Sequence, residues 1–595
     1  MQRLITRIVL AALLVGWLMP PPAPVAALAP GIAIPPLDGA PFGLNTHLAT
    51  RYWLPESMNV PADTIAAAGV GWAREDIHWF RIQPTPDTWD WSFNDRAISL
   101  LNERRVQILG VIGHPPGWAT PYGGDQADTL SFYAADPQRF AAFAGAVAQR
   151  YAGIVQHWEI WNEPDNPLFW KPAPDARAYA ELLRATSAAI RAIDPQAQIL
   201  IGGISPFSLR FLRGVADAGA WESFDLLAVH PYVMPWSPEN ANLVASLDAV
   251  RAFAAERGAK PIWVTEYGWS SGPGDGDPVG IVDRQRQADY LVRGALALWQ
   301  AGVERIFWYT LKDDPGNPFG LFAEGEGYQD YQVPKPAYRA LAELNRQLAG
   351  AEYVGVRDLF AREAVVDFER FGVWRRGDQP NGTFTPTQAI RRTGTTAAAL
   401  SYRFDTLNND FVVFRSERAL PVLGAPTALG IWAYGDGSGH TLKIWLRDAE
   451  DEVLQYTLGA VGQQGWRFMQ TPLRGAVFPV DRISGAGNGI ADAPIRIEAI
   501  VLDDASDEQR GTGTVYLDDL TAFIGPEAYD LQLRRGDERI DVLWAPMPIV
   551  VSIESTSTNA RVSGRDGASI TMPVRDGRLV LTIGPSPQYV RHRRP

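Results

Sequence analysis

A chain of 595 residues, 46% hydrophobic and 20% charged, has globular composition and is too long for one compact domain, so roughly two to four domains are expected. The formal net charge of −13 sets an acidic surface against phosphate backbones and anionic lipid, which excludes nucleic acid as an expected partner but not neutral sugars. There is no cysteine, so disulfides, thiolate nucleophiles and cysteine-held metals are excluded, while export stays possible for domains with large cores.

The chain opens with Arg3 and Arg7, then an apolar run from Ile8 to Leu18, then small residues through Val25-Ala26-Ala27. That order predicts a secretory signal over residues 1–27; the run is shorter than the roughly 20 residues that span a bilayer. An uncleaved anchor is the alternative, and only then is a membrane a partner. A Pro-rich linker follows over 28–40.

Over 41–350 short apolar runs alternate with helical stretches. The runs are Phe42 to Asn45, Gly71 to Arg74, Val106 to Ile112, Val155 to Trp161, Gln198 to Ile204, Phe224 to Val229, Pro261 to Thr265 and Arg305 to Tyr309. Pro174 to Ile193 and Asp283 to Gln300 are examples of the stretches between them. Eight such units predict an α/β domain, a (β/α)8 TIM barrel with its parallel sheet buried on both faces. A doubly wound sheet would announce a Gly-rich phosphate turn after its first strand, where Asn45-Thr46-His47 stands instead.

From Val365 to Phe523 the period becomes two, as in Thr441-Leu442-Lys443-Ile444-Trp445-Leu446-Arg447, with turns such as Gly435-Asp436-Gly437-Ser438-Gly439. This predicts a β-sandwich (jelly roll) over 351–527 and a small C-terminal β-domain over 528–595. Tyr353 to Leu359 is a candidate partner for that tail, which would make the jelly roll an insertion.

Two motifs carry chemistry. Trp158-Glu159-Ile160-Trp161-Asn162-Glu163-Pro164 closes the fourth strand and Pro261-Ile262-Trp263-Val264-Thr265-Glu266-Tyr267-Gly268 the seventh. Barrel enzymes place their catalytic groups at these strand ends. Glu163 and Glu266 therefore face one another across one mouth, the pair of carboxyls that glycosidic cleavage needs: an acid for the leaving oxygen and a carboxylate for the anomeric carbon. No catalytic metal is expected, because the seven histidines form no His-Glu-x-x-His; a serine nucleophile lacks its Gly-x-Ser-x-Gly turn. The Gly272 to Gly276 segment reads as a mobile loop over the site.

The Trp-Asn-Glu-Pro and Thr-Glu-Tyr-Gly motifs resemble those of the clan A retaining glycoside hydrolases. The nearest group is family 39, the β-xylosidases and α-L-iduronidases, with some similarity to the family 5 cellulases. The resemblance covers about Pro41 to Leu348. It implies Glu163 as acid/base, Glu266 as nucleophile, Arg74 as the arginine bonded to that nucleophile, and Asn162 on the substrate 2-hydroxyl. It also implies substrate-binding roles for His230 or a nucleophile-touching Tyr232, Trp308 as aromatic floor, and His114 on a hydroxyl. No catalytic cofactor is implied. The second half resembles carbohydrate-binding jelly rolls, which implies a structural Ca²⁺ at Glu369 and Asp518; a β-domain without sugar affinity is the plainer alternative. A carbohydrate substrate is thus expected, with a transglycosylase or a non-catalytic polysaccharide-binding protein as rivals.

Overall fold

The computed structural model describes residue 35 and residues 41–593, apart from 122–131, 207–208, 235–236, 240–242, 245, 272–281, 328, 358, 360, 378–380, 463, 474, 508 and 525–527. The signal segment, nearly all of the linker and the Gly272 to Gly276 loop lie outside the described residues. Within them, no helix is long and apolar enough to cross a membrane.

Eight parallel strands form the first sheet: β1 (Phe42–Asn45), β2 (Trp72–His78), β3 (Gln107–Gly113), β4 (His157–Ile160), β5 (Gln198–Ile201), β6 (Leu227–Val229), β7 (Ile262–Tyr267) and β8 (Arg305–Trp308). Their order is β5-β4-β3-β2-β1-β8-β7-β6, and bridges Leu200–Leu226 and Ile204–Val229 join β5 to β6. A helix follows each strand in turn: α1 (Asn59–Ala67), α2 (Ser92–Glu103), α3 (Pro137–Arg150), α4 (Ala176–Ile193), α5 (Arg210–Asp217), α6 (Ser246–Arg257), α7 (Arg284–Gln300) and α8 (Pro336–Leu348). The expected TIM barrel is therefore the observed one. Asp136, Asp175 and Asp283 start α3, α4 and α7 by accepting two otherwise unpaired amides each.

Strand alternation fills the barrel in layers. Low in the interior the rings of Trp72, His157, Trp263 and Phe307 pack together, with Phe307 lying where Gly43 carries no Cβ. Two residues further along their strands, Asn45, Arg74, Glu159 and Thr265 make a buried polar layer. The site stands on that layer.

Beyond the barrel, β9 (Glu352–Val356) leads into a sandwich of two six-stranded antiparallel sheets whose facing sides share one core. The chain then returns: Tyr529–Arg535 pairs with β9 and begins a six-stranded C-terminal sheet. Leu531, Leu533, Ile540, Val542 and Trp544 of that sheet join the barrel's own core. The Trp544 indole donates to Glu239, which also binds Arg293 of α7.

Candidate active site

Glu163 follows β4 in a turn where Trp161 and Glu163 itself have φ of 72° and 46°. His47 and His114, at the ends of β1 and β3, are likewise left-handed. Non-glycine residues adopt this region only where surrounding structure compels it, and here they gather at one rim of the barrel.

Glu266 owes its aim to an irregularity. Between Val264 and Tyr267, β7 carries one residue more than β8, so Thr265 and Glu266 both turn towards the barrel axis instead of alternating. Glu266 Oε1 then accepts from Arg74 Nη1 at 2.6 Å, and Oε2 from the Tyr232 hydroxyl at 2.7 Å. Burial pushes its carboxyl up, but the charges of His230 and Arg74 and the Tyr232 hydrogen bond outweigh that and hold it below its ordinary value.

Arg74 is 2% exposed and fans its donors over four residues. Nε and Nη2 reach Glu159 at 2.8 and 3.0 Å, Nη1 reaches Asn45 at 2.9 Å besides Glu266, and Nη2 reaches Asn162 Oδ1 at 2.7 Å. Its sequence neighbours are engaged elsewhere. Glu75 caps the short helix at 48–51 through Leu48 N and Ala49 N, and Asp76 binds His47 at 2.6 Å. Taking Arg74 away leaves Glu159, wholly buried, without its counter-ion. Arg74→Ala is therefore expected to cost about 3–5 kcal/mol of stability, checked by chemical denaturation; a loss within about 1 kcal/mol would contradict this.

Glu163 Oε1 lies 2.9 Å from His230 Nδ1, and Oε2 accepts from Asn166 Nδ2 at 2.7 Å. His230 is buried and reaches Thr265 Oγ1 through Nε2 at 2.9 Å. Burial lowers its proton affinity, yet the neighbouring Glu266 and the hydrogen bond and charge of Glu163 raise it overall. Donor atoms of Glu163, His230 and Glu266 lie within 4.8 Å of one another, the one such group found among the described residues. Each is also hydrogen-bonded by Asn166, Thr265, Arg74 or Tyr232.

The remaining expected residues fall into two groups. Asn162, with Oδ1 taken by Arg74, turns its amide the other way, while His230 and Tyr232 stand directly on the two glutamates. His114 is set to the side: it is buried, its ring lies 4.6 Å from that of His78, and burial keeps it largely neutral. Trp308 needs correction as an aromatic floor. It is 1% exposed, packs its ring on Tyr267 and Trp269 behind the sheet, and has no face for a sugar. Alternation along β8 gives the mouth instead to the following Tyr309, half-buried, whose ring lies 5.7 Å from His47 and 6.4 Å from Tyr232. Glu159, Thr265 and Asn166 join the site beyond the residues that the motifs single out; the one signal in the sequence is an acid inside an apolar strand, Glu159.

In the sandwich, Glu369 and Asp518 grip one loop from two sides. Glu369 Oε1 accepts from Thr395 N and Thr396 N at 2.7 and 2.9 Å, and Asp518 Oδ2 from Arg392 N and Thr393 N at 2.9 and 3.2 Å. With lone pairs left over, they would supply a calcium ion with only part of its six to eight oxygens.

Residues 136–327 match the family model described as "Glycosyl hydrolase catalytic core", and residues 422–531 match "Flagellar filament outer layer protein Flaa". A curated β-xylosidase of Geobacillus stearothermophilus is 26% identical over 217 residues, 32% of this chain and 42% of the relative, so the chain spans less than half of that relative's length. Among solved structures, a family 39 glycoside hydrolase from Bacteroides cellulosilyticus WH2 aligns with TM-score 0.49 and 16% identity, covering 94% of this chain and 81% of that one. A family 39 β-xylosidase from Caulobacter crescentus aligns with TM-score 0.42 and 15% identity, covering 80% and 98%. The barrel thus matches a glycosyl hydrolase catalytic core, and the chain is similar to the family 39 glycoside hydrolases and their β-xylosidases.

Proposed function

We propose that this chain is an exported retaining glycoside hydrolase in which Glu266 is the nucleophile and Glu163 the acid/base. One observation carries the reading: an oxygen of each carboxyl lies within 4.8 Å of the other. Such an approach supports the spacing of retaining enzymes, with carboxyls about 5–5.5 Å apart, over the about 6.5–9.5 Å that inverting enzymes keep for a water. In the first step Glu163 gives its proton to the glycosidic oxygen as that oxygen leaves with the bond's electron pair, and Glu266 bonds to the anomeric carbon. Water then attacks that carbon and gives its proton to Glu163, freeing Glu266.

The test is turnover of a panel of aryl glycosides, β-xylosides included, with the first-formed anomer followed by proton NMR. Retained configuration is the expected result; an inverted first product would end the double-displacement reading. Adding an acceptor sugar separates hydrolysis from transglycosylation.

Export and calcium are finer parts of the proposal. Export rests on the order of charged, apolar and small residues over 1–27, and predicts a secreted chain whose N-terminus lies near Leu28. Calcium rests on Glu369 and Asp518 holding one loop; if it binds there, a chelator lowers the melting temperature, and an unchanged melting temperature removes the ion.

A further inference from the structure

The network behind Glu163 settles where protons sit, starting from its most buried member. Glu159 accepts from Arg74 Nε and Nη2 and from Gly203 N at 2.8 Å, so it is an anion that only accepts. The Thr265 hydroxyl donates to it at 3.3 Å. With its hydrogen so committed, Thr265 Oγ1 offers His230 Nε2 only lone pairs, so Nε2 carries a hydrogen. Nδ1 is then the nitrogen that gains and loses a proton, and it faces Glu163 Oε1 at 2.9 Å.

The other oxygen of Glu163 already accepts a hydrogen bond. Asn166 Oδ1 accepts from Leu168 N at 3.0 Å, which fixes the amide so that Nδ2 donates to Glu163 Oε2. A proton on Glu163 is therefore favoured at Oε1, where His230 Nδ1 can share it. The ring's place is held by the chain as well: a Cβ on Gly203 would come within 1.9 Å of His230 Nε2.

We infer that His230 is a positioning residue for the acid step, sharing with Glu163 the single proton that lies between Nδ1 and Oε1. This rests on the acid role proposed for Glu163. As the leaving oxygen departs, the proton on Oε1 goes to it, and when the shared proton starts on Nδ1 it first crosses to Oε1, leaving neutral imidazole. In the second step the proton released by the attacking water returns to Oε1 and is again shared, so the cycle closes without a co-reactant. The charges facing His230 are Glu163 and Glu159 at the end of β4, Glu266 of β7 at 3.8 Å, Arg74 of β2, and Asp165 beside Glu163. The three carboxylates outside the pair, Glu159, Glu266 and Asp165, against one guanidinium favour keeping the proton in it.

The experiment compares wild type with His230→Asn, Thr265→Val and Glu163→Gln, measuring kcat/KM against pH on a glycoside that wild type cleaves, in phenyl and dinitrophenyl forms. In His230→Asn the alkaline limb for the phenyl substrate is expected to move down by about one to two pH units, the effect of losing one hydrogen bond to a charged group. Its phenyl rate should fall at least about tenfold while the dinitrophenyl rate changes far less. Thr265→Val keeps the imidazole but frees its tautomer, and should shift the limb in the same direction by less. An unmoved limb in both variants, or equal losses on both substrates, overturns the inference while leaving Glu163 in its role. Equal losses on both substrates in Glu163→Gln overturn both readings.

Discussion

Glu266→Ala is expected to lower turnover by about four orders of magnitude or more, and added azide or formate to restore part of it with a product of inverted configuration. The reason is geometric and electrostatic. Arg74 and Tyr232 hold both oxygens of Glu266, and together with His230 they keep it ionised below the ordinary carboxylate range. The alanine leaves a carboxylate-sized gap against an undisturbed guanidinium, which a small anion can fill. That anion attacks once, from the side Glu266 would have used, and no second displacement follows. Full activity in the variant would remove Glu266 from the mechanism. The lowered proton affinity has its own consequence: activity should persist as pH falls until Glu266 protonates, so the acidic limb lies below the range of an ordinary glutamate.

The second large effect belongs to Glu163→Gln. General acid catalysis contributes about 10²–10⁴-fold where the departing oxygen is a poor leaving group. The amide keeps the size of the carboxyl but has no acidic proton for that oxygen. A phenyl glycoside should therefore lose most of its rate, whereas a dinitrophenyl glycoside, whose phenolate leaves unaided, should lose little in the first step. Equal losses on the two would argue against the acid role.

The barrel was largely legible in the sequence, because a strand buried on both faces must be apolar along its length. Phe42 to Asn45 matches β1 at both ends, and the other seven runs fall on their strands within a few residues. What was not legible depended on register. Trp308 and Tyr309 sit side by side in one aromatic run, and only pairing with β7 reveals that the first faces the helices and the second the mouth. The extra residue at Thr265 and Glu266 is invisible for the same reason, since a bulge is a relation between two strands. Asn166 and Thr265 are ordinary residues in isolation; they gain meaning from the turn that folds Asn166 back on Glu163 and from the end of β6, which sets His230 beside Thr265.

The pairing of β9 with Tyr529–Arg535 has a bearing on biosynthesis. One strand of the C-terminal sheet leaves the ribosome before the entire sandwich and its neighbour only afterwards, an interval of about 10–35 s at typical translation rates. During that time its backbone groups are an open template for another nascent chain. Glu352 at its start and the alternation of half-buried and exposed side chains along it make that edge a poor template. Because the two strands lie about 4.8 Å apart, the sandwich is also a cassette whose entrance and exit adjoin, so a short turn can replace it without moving the sheet that carries Trp544 against the barrel.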